Sequence, residues 1–148
     1  MTTATQQGAA VLRRLREVLL RQRAKFQDYL DLLEREGDAI ACGDVERLQI
    51  HLEVEKGVIA EIQNLRKIVE PLEDLYQSAY PRGEDTIPVL KVTLARMGAQ
   101  VKERNARNRA ALQDKMNELR REISGMRAWP QGRPVYREVT PSLVDITM

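Results

Sequence analysis

The 148-residue chain carries a formal net charge of +2 and is 43% hydrophobic, 31% charged and only 4% aromatic. The length suits one domain, and so few aromatics among so many charges argue against the mixed core of a globular enzyme. They favour long amphipathic helices that share a narrow seam of Leu, Ile and Val. No eighteen apolar residues occur in succession, so a membrane-spanning helix is not expected.

The opening MTTATQQGAA lacks the charged and apolar regions of a secretory signal, and its first eight residues are expected to fray. A first helix over about 9–41 follows from Leu12, Leu15, Leu19, Gln22, Phe26, Tyr29, Leu33, Glu36 and Ile40. Their steps alternate three and four, the spacing of a coiled-coil seam, with Gln22 and Glu36 as polar interruptions. Such a helix is about 50 Å long, which implies an elongated molecule. The only cysteine, Cys42, has no internal partner. It reads as a small, partly buried residue in a reducing compartment, with a disulfide-linked dimer as the alternative.

At Gly43-Asp44 the pattern breaks for one step. Gly43 suits the left-handed conformation that ends a helix, and Asp44 suits the N-cap of the next. So short a connection makes the two helices an antiparallel hairpin. The second helix, over about 44–79, carries Val45, Leu48, Leu52, Glu55, Ile59, Ile62, Leu65, Val69, Leu72, Tyr76 and Ala79. Pro71 lies inside it, so a kink or restart is expected near Glu70, with Leu72 and Tyr76 tilting toward a third helix.

Tyr80 to Thr86 has the composition of a connection, with Asp85 or Thr86 as the next cap and Pro88 in the first turn. The third helix, over about 86–127, shows Leu90, Leu94, Met97 and Val101, then Asn105 and Asn108, then Leu112, Met116, Leu119, Ile123 and Met126. Its polar centre is expected to weaken attachment to the hairpin. Gly98 within it is expected to serve close helix packing. Trp129 to Met148 is interrupted by proline and glycine and reads as an extended or flexible tail after a single helical domain over 1–128.

Charge divides along the chain. Arg13 to Lys25 holds six basic residues and one acidic, Asp28 to Asp85 six basic and fifteen acidic, and Lys91 to Arg137 twelve basic and four acidic. Opposite charges on successive helices help to select their pairing. The segment KERNARNR, with Lys102, Arg104, Arg107 and Arg109, could follow a phosphate backbone. Near-neutral net charge and the lack of interleaved aromatics favour instead a basic face beside the acidic second helix.

No residue set carries a catalytic signature. His51 with Glu55 does not make a structural zinc site. Glu34, Glu36, Glu53 and Glu55 lack the Glu-x-x-His pairs of carboxylate di-metal bundles. Neither a cofactor nor a metal is expected, and His51 is expected in solvent.

LLERE, then Gly43-Asp44, then Leu48, Leu52, Glu55-Lys56, Ile59, Ile62 and Leu65 resemble the helical hairpin of FlgN-type flagellar export chaperones over about Tyr29 to Leu75. The resemblance implies an all-α, non-enzymatic cytoplasmic protein. Members hold hook-associated (hook–filament junction) proteins and deliver them to the flagellar type III export apparatus. By position, the client surface would comprise Leu112, Met116, Leu119, Ile123 and Met126, with Trp129 as an anchor at its edge. A structural coiled-coil adaptor, self-associating through the same stripe as a homodimer, is the alternative reading.

Overall fold

The computed structural model describes residues 2–126, which form three α-helices: α1 (Thr2–Cys42), α2 (Val45–Ala79) and α3 (Thr86–Met126). Among the described residues there is no strand. The hairpin tip forms as its residues dictate. Gly43 adopts φ 68°, the Asp44 N–H donates to the Ala39 carbonyl at 2.9 Å, and the Asp44 carboxylate accepts from Arg47 N–H at 3.1 Å. The end of α1 and the start of α2 are thus both capped within one turn.

α1 is the central helix. α2 packs on it antiparallel and α3 parallel, while the backbones of α2 and α3 stay apart. α3 therefore does not pack directly on the acidic second helix, contrary to the expectation. From its basic centre Arg104 reaches α1, lying 3.8 Å from Glu34 and donating to the Leu30 carbonyl, whereas Lys102 lines the opening between α2 and α3. Between α2 and α3 the links are side chains: Lys91 pairs with Glu73 at 2.9 Å, and Leu72 and Tyr76 share an apolar cluster with Ile87 and Leu90. The third helix docks on α1, where Leu15, Val18, Leu19, Leu30, Leu32 and Leu33 are all buried.

Two further expectations are corrected. α1 begins at Thr2, earlier than the expected start near residue 9. Gly8 is buried, and a Cβ there would lie 3.5 Å from Ala79 and 3.7 Å from the Tyr80 hydroxyl, so the opening turns rest on the far end of α2. Nor does α2 restart at Glu70, because the helix runs unbroken through Pro71. The proline is exposed, while Val69 before it and Tyr76 after it are anchored in the core. That packing on both sides offsets the one backbone hydrogen bond that proline removes.

The cap of α3 is Glu84 rather than Asp85 or Thr86. Its carboxylate accepts the N–H groups of Thr86 and Ile87 at 2.8 and 2.9 Å. Burial alone would push this carboxyl up, but these hydrogen bonds, one from the Thr86 hydroxyl and the nearby Arg16 charge hold it below its ordinary value.

The helices are staggered. Thr86 begins α3 beside Arg16, which donates to its hydroxyl at 3.1 Å, and Asn108 sits beside Leu33. From that level α3 continues to Met126, twice as far as α1 continues to Cys42. At about 1.5 Å per residue, the last ~13 Å of α3 extend past the hairpin tip.

Candidate functional site

Two features stand out against the apolar seam: a polar layer in the middle of the bundle and the apolar end of α3. The polar layer is built from one or two residues of each helix. Tyr29 and Glu36 come from α1, Glu55 from α2, and Asn105 and Asn108 from α3, and all are buried. The Tyr29 hydroxyl donates to Glu55 Oε1 at 2.6 Å and accepts from Asn105 Nδ2 at 3.1 Å. Asn108 Nδ2 donates to the Leu33 carbonyl at 2.8 Å. Gly37 leaves room for this approach, since a Cβ there would meet Asn108 Oδ1 at 3.0 Å.

Asn105 and Asn108 therefore fasten α3 to α1, contrary to the expectation that they weaken its attachment. Each occupies a seam position and donates its amide to a buried partner, which fixes the register.

Glu36 and Glu55 are fully buried, and neither Glu36 oxygen nor Glu55 Oε2 receives a hydrogen bond from an amide or hydroxyl donor. Burial first, then the hydrogen bond and charge of Glu55, push the Glu36 carboxyl up to about 9, against a smaller opposite effect of Asn108. Glu36 is accordingly protonated at neutral pH and faces Glu55. Two charged carboxylates side by side in this interior would be far more costly. Burial and the bond to Glu55 also push the Tyr29 phenol up.

Of the four glutamates weighed as a carboxylate group, the structure brings together only Glu36 and Glu55. Glu34 lies near Arg104 and Glu53 pairs with Lys56, both at the surface. Among the described residues no group of three or more His, Cys, Asp or Glu side chains is placed to hold a metal ion. His51 is half-buried, with Nε2 lacking a partner, rather than solvated. Cys42 is exposed rather than partly buried, because it sits on the outer side of the last turn of α1.

The apolar stripe at the end of α3 is partly free. Leu112, Met116 and Ile123 are half-buried, whereas Leu119 is 51% and Met126 71% exposed. None of the five belongs to either of the two core clusters. The stagger accounts for this, since the later members of the stripe lie where α1 has already ended. Trp129 and the tail lie outside the described residues.

A groove between α2 and α3 forms a third feature, with a cavity of about 660 Å³. Leu19, Phe26, Ile62 and Leu94 lie along its floor, Gly98 and Ala99 along the α3 wall, and Gln22 opens into it. Gly98 is buried and lies at the edge of this groove. Among the described residues no helix is long and apolar enough to cross a membrane.

The signal for the polar layer was present in the sequence, where Glu36, Glu55, Asn105 and Asn108 interrupt apolar seams. What spacing could not supply was the depth alignment of three helices that brings the four to one level. No protein-family profile and no solved structure matches the chain. It is 34% identical over 142 residues, spanning 94% of this chain and 90% of the other, to an uncharacterized protein of Treponema pallidum (strain Nichols). The three-helix chain therefore belongs to the same family as that uncharacterized treponemal protein.

Proposed function

We propose that this chain is a non-enzymatic cytoplasmic chaperone of flagellar type III export. In this reading it holds the C-terminal segment of a hook-associated protein and presents it to the export apparatus. The observation that carries the reading is the projecting end of α3, where Leu119 and Met126 remain exposed on a helix that extends past the hairpin tip. An amphipathic helix of a client can lay its apolar face along Leu112, Met116, Leu119, Ile123 and Met126, a helix-in-groove form of recognition. Methionines at two of the five positions suit an adaptable surface. The resemblance of the Tyr29 to Leu75 hairpin to FlgN-type chaperones supplies the client class.

The polar layer supports this division of labour, because it holds α3 to α1 by Asn105 and Asn108 and leaves the end of α3 free to bind. A nucleic-acid role has less support, since Arg104 is engaged with Glu34 and Leu30 and Arg107 with Glu103.

Calorimetric titration of the full chain with a hook-associated protein C-terminal peptide tests the proposal. The expected result is saturable binding that Leu119→Asp combined with Ile123→Asp abolishes, while circular dichroism stays helical because both residues lie outside the core clusters. Binding that survives this double change contradicts the assignment of the stripe.

A further inference from the structure

α2 carries a second seam that the fold leaves uncovered. Ile50, Val54, Gly57, Glu61, Asn64, Ile68, Pro71 and Leu75 recur at steps of four and three along one face. That face is turned about a third of a revolution from the seam of Glu55, Ile59, Ile62, Val69 and Tyr76 that packs on α1. Ile50, Val54, Ile68 and Leu75 are each more than 40% exposed. The groove shared with α3 is lined by Gln63, Arg66, Glu70 and Glu73, so the second seam faces away from it.

Gly57 is the unexplained member. It lies mid-helix, where glycine is destabilising, and a Cβ there would meet nothing within 4 Å. Among the described residues nothing requires it to be small.

Read in reverse, the seam complements itself. If a second α2 runs antiparallel with its Leu75 opposite Ile50, then Pro71 falls opposite Val54, Ile68 opposite Gly57, and Asn64 opposite Glu61. Apolar residues meet apolar residues at both ends, and a large residue meets the vacant glycine on each side. In the centre an amide meets a carboxylate, to which Asn64 can donate. Glu61 is held at that edge by Lys25, at 2.6 Å. An interface about a twofold axis requires this property, that one patch fit its own reversed copy.

We propose that two copies of this chain associate through the outer seam of α2, antiparallel about a twofold axis passing between Glu61 and Asn64. Ile68 of each copy packs into the space over Gly57 of the other. From Ile50 to Leu75 the seam is about 38 Å long. A helix pair of that length buries roughly 1,200 Å² in total, the lower range of stable interfaces. The proposal is independent of client binding, because the stripe of α3 stays free in such a dimer.

Sedimentation equilibrium of the full chain tests it. The expected result is a dimer, and a monomer with unchanged helical circular dichroism when Val54→Asp is combined with Ile68→Asp. A second variant fixes the geometry. In a Cys42→Ser background, Ile50→Cys with Leu75→Cys should give a covalent dimer on oxidation, since the two positions are too far apart on one helix to bridge within a chain. Ile50→Cys alone should not. A monomer at every soluble concentration, a dimer that survives the two aspartates, or equally ready cross-linking through Ile50→Cys alone would overturn the proposal.

Discussion

The bundle is held by two kinds of contact, apolar clusters and one polar layer. Toward the chain's start, Leu15, Val18, Leu19, Val69, Tyr76 and Ile87 form a cluster in which three helices meet through apolar contact. Nearer the tip, the layer of Tyr29, Glu36, Glu55, Asn105 and Asn108 crosses the same three helices through hydrogen bonds. Apolar contacts are non-directional and tolerate small slips between helices, so the first cluster supplies stabilisation with little preference for register. The second gains less from burial. The bonds of Tyr29, Asn105 and Asn108 form at one alignment of α1, α2 and α3, because a slip separates each from its buried partner. The apolar clusters in both halves provide the strength of the fold, and the polar layer its register.

Matched truncations sharpen that difference. Leu15→Ala removes a fully buried side chain from the apolar cluster and should cost about 2–5 kcal/mol. Asn105→Ala removes one hydrogen bond to Tyr29 and should cost about 1–3 kcal/mol. Urea unfolding followed by circular dichroism compares the two. A larger loss for Asn105→Ala than for Leu15→Ala would reverse the assignment of roles.

pH separates the polar layer from the apolar clusters. The folded Glu36 carboxyl, raised to about 9, binds its proton more tightly than the unfolded one, whose ordinary value is 4.5. The stabilisation is therefore complete below pH 4.5, declines as pH rises between 4.5 and about 9, and is gone above that range. Glu36→Gln should flatten this part of the profile while leaving the helical spectrum unchanged, as thermal melts over the same range would show. An unaltered slope would mean that the proton resides elsewhere.

Much of this organisation was legible in the sequence. The heptad runs on either side of Gly43-Asp44 specify the antiparallel hairpin, and Gly43 and Asp44 cap it as their chemistry requires. The stripe from Leu112 to Met126 is likewise readable from spacing alone. Exposure was not, because it depends on the stagger that carries α3 past Cys42. Nor was the partner of α3 legible, since charge pointed to the acidic α2, whereas α3 packs on α1. Asn105 and Asn108 show why a polar residue in a seam is ambiguous. The same side chain loosens a helix when it has no partner and fastens it when one lies at its level, and that level is a property of the assembled fold.

In the proposed function the bundle is a fixed support and the projecting end of α3 the binding element. Hydrogen–deuterium exchange of the full chain, with and without a hook-associated protein C-terminal peptide, tests it most directly. The expected result is slowed exchange on peptide addition across residues 112–126 and no change around Tyr29, Glu55 and Asn105. Protection confined to the α2–α3 groove, or no protection in any part of the chain, would contradict it.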